Sequence, residues 1–454
     1  MPASGVDKLY RELIDLIPLS PEKEFLISDK VFIRDRKITY ASIITMILSL
    51  TAQQKNAGVA TNLEQFISFA RNSQIWPTQN SIHESSFSKA REKLTWNAFE
   101  NLHEKFTRLA YTLWDNDPSY TWFGMDVFAV DGSKYSLPAT KDLRNEFDPL
   151  SGTQNPGKGH FPQCLVNTVY DVFRRIPIAR IINPVDTSER KQLLCLMKKI
   201  PRKSITILDR GYPSYEVLLE FILNHCGYFL IRCPASNSFP AVTEFVQSQE
   251  DDAVITINPS KDYLEKVKGD LSVFRQPITV RAIRIVSIDG STSVLLTNML
   301  DTTHFCTKEI KKLYLKRETI ENYYRDEKTF LQIEKFHSKS VNGIKQELFA
   351  ILATSVIARI LVMWCQKQSG DKTITPRFKH AVLIFATHAS ILTAKDPQKS
   401  YNMFIELLGS IQRVKTYPHR KKRANQPRIC KKPLNKWSQY REKRKKEDGV
   451  LCKA

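Results

Sequence analysis

Glycine is scarce in this sequence, and its cysteines are not closely spaced. The 454 residues include 15 glycines, too few for a low-complexity or largely disordered chain. None of the eight cysteines belongs to a Cys-x-x-Cys pair, so the sequence indicates neither a zinc site nor a disulfide framework. We therefore expect reduced thiols, as in a cytosol.

The sequence also lacks the features of an exported or membrane protein. The first residues, MPASGVDKLYRELIDL, have neither the basic start nor the unbroken apolar stretch of a signal peptide. The longest apolar run, residues 348–364, is near the minimum length for crossing a bilayer, but Arg359 interrupts it. We therefore expect a buried core helix, no membrane partner and a cytoplasmic location.

Acidic residues are outnumbered by basic ones. Sixty-eight Lys and Arg face forty-seven Asp and Glu, which gives a net charge of +21. Such an excess favours a polyanionic partner, most often nucleic acid, although a basic protein without one is the alternative. The excess is steepest in the basic tail from Arg420 to Ala454, which either binds DNA or is simply solvated.

Apolar periodicity divides the chain into four parts. Residues 1–115 have helical spacing throughout. Strand and helix patterns alternate over 119–233, and helices return over 303–370, which predicts an α/β core. The runs within 234–302 predict a β-rich insertion, and 371–454 predict a helical region with the basic tail.

The N-terminal part contains a candidate DNA-binding surface. Phe87, Ala90 and Leu94 fall on one side of a predicted helix, and Lys89 and Lys93 fall on the opposite side. Two short helices joined by a polar turn could place this basic face in a DNA groove. A solvated helix face fits the pattern equally well.

Two aspartates follow apolar strands in the α/β part. Asp131 comes directly after the run Val127–Val130, and Asp209 ends the strand SITIL before a turn at Gly211. Carboxylates at the carboxyl ends of strands point into the crevice where α/β proteins bind ligands. Each aspartate could instead be a turn or cap residue, and the neighbouring Arg210 could contact DNA or pair with an acid.

A third carboxylate lies in a segment, residues 313–328, that is predicted to be helical. On a helical wheel Tyr314, Arg317, Glu321 and Lys328 share a sector of about 60°, beside a stripe of apolar residues. Three carboxylates in one pocket would suit Mg²⁺, a cation that prefers oxygen ligands. The alternative is an ion-paired helix face in which Arg317 and Glu321 form an i,i+4 pair.

Taken together, these motifs resemble those of a known family. The segments AVDGSKYSLP and LDRGYPS, followed by a complete Tyr-x2-Arg-x3-Glu-x6-Lys pattern, resemble the DDE transposases of bacterial insertion sequences, in the IS-four group. The resemblance covers roughly residues 80–370. It implies a ribonuclease-H-like, retroviral-integrase-like core.

The resemblance also implies roles for individual residues. Asp131, Asp209 and Glu321 would be catalytic metal ligands for Mg²⁺, or Mn²⁺ in its place, with two ions expected. Tyr314, Arg317 and Lys328 would contact the phosphate backbone of double-stranded DNA.

The function implied is DNA transposition. The protein would bind the terminal inverted repeats of its element through the N-terminal helices, pair two ends as a homodimer, cut them, and transfer the strands to target DNA. Two other hypotheses remain: a domesticated relative that binds DNA without cutting it, and a metal-dependent nuclease without strand transfer.

Overall fold

The computed structural model of the protein covers most of the chain. It describes residues 3–416 except for 35, 54–57, 75–80, 115–116, 151–160, 226, 237, 267–274, 288–289, 371–374 and 395. Met1–Thr416 form one compact unit. The basic tail predicted for the C-terminus lies outside the described residues.

Helices make up most of both ends of the described chain. The α-helices are α1 (Ala3–Asp15), α2 (Tyr40–Ala52), α3 (Gly58–Asn72), α4 (Glu84–Arg91), α5 (Asn97–Trp114), α6 (Lys141–Phe147), α7 (Glu189–Met197), α8 (Tyr215–Glu220), α9 (Pro240–Gln247), α10 (Lys261–Lys266), α11 (Thr307–Leu315), α12 (Glu318–Arg325), α13 (Val341–Ser369), α14 (Phe378–His388) and α15 (Pro397–Arg413).

A mixed eight-stranded sheet lies between them. Its strands are β1 (Val127–Ser136), β2 (Gln163–Asp171), β3 (Ile176–Pro184), β4 (Ile205–Leu208), β5 (Tyr228–Pro234), β6 (Asp252–Ile257), β7 (Ile278–Val286) and β8 (Thr292–Thr297); β9 (Thr375–Pro376) and β10 (Lys415–Thr416) form a separate pair. The order is β3-β2-β1-β4-β5-β8-β7-β6. Strands β1, β4 and β5 are parallel, and the other neighbouring pairs are antiparallel. The predicted α/β class is confirmed.

The sheet is covered on both faces, which explains why its central strands are apolar on both sides. Successive residues of a strand point to opposite faces. Val127 and Ala129 accordingly belong to one hydrophobic cluster, which includes residues of α5, α12 and α13. Phe128 and Val130 belong to a second cluster, with residues of α7, α8 and α9.

The β-rich segment expected at 234–302 extends this sheet. Strand β8 pairs antiparallel with β5, and β7 and β6 follow it outward. Helix α9, which the sequence did not predict, buries Val242 and Phe245 in the second cluster. The hydrogen bonds of the sheet therefore run without a break from the core into this segment.

Helix α13 is long and apolar enough to cross a membrane by length and composition, but most of it is buried inside the protein. It packs against α2, α5, α14 and β3. The guanidinium of Arg359, the charge within the apolar run, lies 4.2 Å from the centre of the Phe378 ring. The prediction of a buried core helix is confirmed.

The helical pair predicted around Lys89 is present as α4 and α5. Phe87, Ala90 and Leu94 are buried, Lys89 is exposed and Lys93 is half-buried. The neighbouring Arg91 is buried as well, and its Nη1 lies 2.9 Å from Glu347 Oε1 of α13. This ion pair joins the N-terminal helices to the central helix.

The segment 313–328 is not the single helix that the sequence predicted. Helix α11 ends at Leu315 and α12 begins at Glu318, and a π-helical turn, Asp326–Phe330, follows α12. At the break, the N–H groups of Lys316 and Arg317 each bond the carbonyl three residues earlier. The prediction of a continuous helix is therefore wrong at residues 316–317, where the chain turns more tightly than an α-helix.

Candidate active site

Strand pairing sets Asp131 beside Asp209. The parallel pairing of β1 with β4 ends with Val130 opposite Leu208, so the next residue on each chain is one of the two aspartates. Strand alternation directs both side chains towards the face that α12 covers. Strand β1 continues to Ser136, so Asp131 lies within this strand, at the point where its partner β4 ends.

Helix α12 brings Glu321 to the same face. Ile320, Tyr323 and Tyr324 are its buried residues. The Tyr324 hydroxyl donates to the Asp131 carbonyl at 2.7 Å, which fixes the helix against β1 beside the first aspartate. Glu321 lies almost one turn before Tyr324 and is exposed.

Arg317 connects the second and third acids. Its Nη2 lies 2.5 Å from Glu321 Oε1, and its Nη1 lies 3.7 Å from Asp209 Oδ2. The Arg317 side chain is 12 % exposed and the Glu321 side chain is 45 % exposed, so the pair is open to solvent on its Glu321 side. The i,i+4 ion pair considered from the sequence is therefore present, and it includes a residue 108 positions earlier in the chain as well.

Tyr314 contacts Asp209 from α11. Its hydroxyl donates to Asp209 Oδ1 at 3.3 Å, and its ring is buried. Burial, reinforced by the negative charge of Asp209, raises the pKa of Tyr314 above its usual value. A neutral phenol therefore holds the second aspartate in position.

Lys328 lies apart from this group. Its Nζ donates to the Lys134 carbonyl of β1 at 2.5 Å and lies 4.8 Å from the centre of the Tyr135 ring. Tyr314 and Arg317 thus contact Asp209, and Glu321 is joined to it through Arg317, whereas Lys328 is placed along the continuation of β1. The remaining predicted contact in the core, Arg210, is exposed beside Asp209.

Asp131 has an unusual electrostatic environment. Burial raises its pKa to about 6, while the Arg317 charge and the Gly132 N–H group oppose this shift. The Glu189 carboxylate raises the pKa of Asp131 further, and Asp209 does so to a smaller extent. Several carboxylates therefore lie close enough to influence one another, as expected at a functional site.

The donor set suits a hard divalent cation. Asp131, Asp209 and Glu321 offer carboxylate oxygens, the ligands that Mg²⁺ prefers. Within the residues that the structure describes, no three His, Cys, Asp or Glu side chains are grouped tightly enough to hold a metal ion. Arg317 contacts both Asp209 and Glu321, so these two carboxylates would hold such an ion only after releasing the guanidinium.

A buried network behind the site was missed in the sequence. Glu327 of the π-helical turn is fully buried, and Arg180 of β3 donates to both its oxygens, at 2.8 and 2.9 Å. The hydroxyls of Tyr135 and Tyr323 also donate to Glu327. The network joins α12 to the sheet, and no local pattern marks it, because its members come from three separate segments.

Glu189 is a second residue near the site that the sequence did not predict. It begins α7 after the Ser188 cap, and the sequence identified this segment only as a helix. Its carboxylate lies against Gly132, next to Asp131. The available signal was the glycine directly after the first aspartate.

The N-terminal candidates line a separate basic cleft. Lys89 and Lys93 share a cleft of about 770 Å³ with Arg36, Lys37 and His83. Lys93 Nζ also lies 5.4 Å from the centre of the Phe32 ring. Both lysines therefore border one positively charged surface.

Comparisons with known proteins find relatives among the transposases. The chain is 23 % identical over 352 residues to the transposase InsG for insertion sequence element IS4 of Escherichia coli (strain K12), which covers 76 % of each protein. It is 24 % identical over 106 residues to the putative transposase InsZ of the same organism, covering 23 % of this chain and 35 % of InsZ.

Among solved structures, the chain is similar to a piggyBac transposase in a synaptic complex with hairpin DNA, with a TM-score of 0.42 and 12 % identity over 91 % of this chain and 79 % of that one. The transposase DDE domain family matches residues 122–357, which is 236 of 454 residues. The protein therefore belongs to the DDE transposases, enzymes that cut DNA and transfer its strands.

Proposed function

We propose that the transposase uses Asp131, Asp209 and Glu321 as its catalytic carboxylates, in a ribonuclease-H-like core of the IS-four type. The observation that carries the proposal is the contact of Arg317 with both Asp209 and Glu321, while parallel pairing sets Asp131 next to Asp209. Arg317 thus links Asp209 to Glu321, and Asp131 follows the strand next to that of Asp209. The strand order β3-β2-β1-β4-β5 supports the same core.

The three carboxylates would hold Mg²⁺, or Mn²⁺ in its place, with two ions expected. Such ions activate the attacking oxygen and stabilise the leaving oxygen in phosphoryl transfer. In this arrangement the chain's own groups prepare the site: Tyr324 fixes α12 to the Asp131 carbonyl, and Tyr314 orients Asp209. Arg317 neutralises two of the acids and would transfer its hydrogen bonds to a DNA phosphate.

The DNA would run over the surface beside the sheet end. Exposed Arg210 lies next to Asp209, and Lys328 lies along β1. Both cations suit phosphate contacts, which position DNA without reading its sequence. The terminal inverted repeats would be held by the basic cleft around Lys89, and two protomers would pair two ends in the bacterial cytoplasm.

A plasmid excision assay tests the proposal. With Mg²⁺ or Mn²⁺, the protein should release the element and join its ends to target DNA. Cutting without joined products would identify a nuclease that lacks strand transfer. Binding of the ends without any cutting would identify a domesticated DNA-binding relative.

Removing Lys328 should weaken DNA binding through the loss of one phosphate contact. We expect Lys328→Ala to reduce the slope of log affinity against log salt by about one unit, equally for all DNA sequences. Fluorescence anisotropy at several salt concentrations measures this slope. Lys367→Ala, in the last turn of α13, is the matched control. An unchanged slope for Lys328→Ala would assign that lysine a purely local role on β1.

Removing the two lysines of the N-terminal cleft should affect recognition of the element's ends. The double variant Lys89→Ala and Lys93→Ala is expected to lower the salt slope for end DNA by about two units. The thermal midpoint must be measured in parallel, because Lys93 packs on the Phe32 ring. End binding equal to that of the unmodified protein would show that this face is only solvated.

A further inference from the structure

A fourth carboxylate lies at the Asp131 end of the active site. We propose that Glu189 helps Asp131 to hold a divalent cation, and that residue 132 is a glycine so that the Glu189 carboxylate can approach. This inference rests on the three-acid site proposed above and adds a residue to it.

A side chain at position 132 would force the Glu189 carboxylate to move. A Cβ atom at residue 132 would lie 2.8 Å from Glu189 Cδ and 3.0 Å from each of its carboxylate oxygens. Gly132 does not adopt the left-handed backbone that usually requires glycine. The close approach of the Glu189 carboxylate is therefore the reason that the structure gives for this glycine.

Glu189 is held in place from the Asp209 side as well. Burial, followed by the charge of the nearby Glu189 carboxylate, raises the pKa of the Tyr212 phenol, so these two side chains lie close together. Arg190 Nε donates to the Gly211 carbonyl at 2.9 Å. The first turn of α7 is thus attached to the loop after Asp209, so Glu189 is fixed with respect to both aspartates.

Arg317 lowers the pKa of Asp131 from a distance, but among the described residues no basic side chain contacts the carboxylates at this end of the site. Arg317 contacts Asp209 and Glu321, but in the described part of the chain neither Asp131 nor Glu189 has a Lys, Arg or His nitrogen within 4 Å. Neighbouring carboxylates that lack a cation repel each other. A divalent cation bound by oxygen ligands would relieve this repulsion. Glu189 is only half-buried, so an ion can reach it.

A purely structural role is the competing explanation. An acidic residue in the first turn of a helix is stabilised by the helix dipole, whether or not it binds metal. Glu216 provides a matched control, because it occupies the first turn of the adjacent α8 and is exposed. A structural role predicts the same behaviour for Glu189→Gln and Glu216→Gln.

Metal binding separates these explanations without measuring activity. Mn²⁺ is titrated into the full-length protein, and free Mn²⁺ is followed by electron paramagnetic resonance. We expect Glu189→Gln to weaken Mn²⁺ binding about 10–100-fold, and Asp131→Asn to weaken it at least as much. Glu216→Gln should bind like the unmodified protein. The thermal midpoint without metal should not fall in any variant, and removing one of the two repelling charges in Glu189→Gln or Asp131→Asn should raise it slightly.

Two further variants keep the test decisive. Glu189→Asp retains the charge at the start of α7 but shortens the reach by one methylene, so it should also weaken Mn²⁺ binding while leaving the helix intact. Gly132→Ala should weaken binding by displacing the Glu189 carboxylate. In a Glu189→Ala background the same glycine substitution should add little, because the displaced group is gone.

The outcomes distinguish this inference from the site on which it rests. Unchanged Mn²⁺ affinity in Glu189→Gln, with a loss in Asp131→Asn, would overturn the role of Glu189 and leave the three-acid site standing. Unchanged affinity in Asp131→Asn would overturn the three-acid site itself.

Discussion

Asp131→Asn, Asp209→Asn and Glu321→Gln are each expected to abolish cutting of the element's ends while leaving end binding nearly unchanged. Each substitution keeps the shape of the side chain and removes its negative charge. Losing one group that stabilises the transition state costs on the order of 10²–10³ in rate, and losing a metal ligand should cost at least that. Cleavage of labelled end DNA measures the first effect, and a gel-shift titration measures the second.

Glu318→Gln is the matched control for the third acid. Glu318 lies three residues before Glu321 on the same helix and is exposed. Its substitution should leave cutting unchanged. The Arg317–Glu321 pair is open to solvent on its Glu321 side, so its loss should cost only about 0.5 kcal/mol of stability and unfolding cannot account for lost cutting. A variant that cuts at the normal rate would show that its residue is not part of the site.

Glu327→Ala is expected to cause the largest loss of stability. The substitution leaves the Arg180 guanidinium buried without its carboxylate partner, and the Tyr135 and Tyr323 hydroxyls lose their acceptor. Breaking a buried ion pair by removing one partner costs about 3–5 kcal/mol. Urea unfolding followed by circular dichroism measures the change in the free energy of unfolding.

A double variant shows whether the loss of stability comes from the unpaired, buried charge of Arg180. Arg180→Met combined with Glu327→Met should recover much of the stability, because two apolar side chains of similar length replace the pair. Glu321→Gln, an acid on the preceding helix, should change the free energy of unfolding by less than about 1 kcal/mol. A loss below about 1 kcal/mol for Glu327→Ala would contradict the importance of this network.

The sequence was sufficient to predict most of the central sheet. The two strands around the charged turn at Arg174, the helix at 189–197 and the strands before and after α8 are all where their apolar patterns predicted. These patterns are predictive because each element buries side chains at its own helical or strand period, which can be recognised within one short segment. The β-rich character of the segment after residue 250 was likewise predictable from its own apolar pattern.

Other features depend on contacts between distant residues. The pairing of β8 with β5, which extends the sheet, joins residues 59 to 67 positions apart in the chain. The tight turn at 316–317 places Arg317 against Asp209. A helical wheel of one segment cannot show this contact, because Asp209 lies in another segment. The contact of Gly132 with Glu189 and the partners of Glu327 could not be predicted either, because these residues also lie far apart in the sequence.

The part of the candidate site that could be predicted is the part whose residues recur at helical spacing in the sequence. The positions of Tyr314, Arg317 and Glu321 are set by helical repeats, so their convergence survives the break between α11 and α12. Lys328 comes after that break and within the π-helical turn, which shifts it away from the other three. The roles of these residues in catalysis and DNA binding remain predictions for the experiments above.

The position of α13 has a practical consequence for dissecting this enzyme. One side of the helix is covered by α2 and α5, from the first quarter of the chain, and another lies on β3. A fragment reduced to the catalytic segment would lack α2 and α5, so the apolar surface of α13 that they cover would be exposed to solvent. Such an exposed apolar surface promotes aggregation. Recognition and chemistry in this transposase should therefore be separated by point substitutions rather than by truncation.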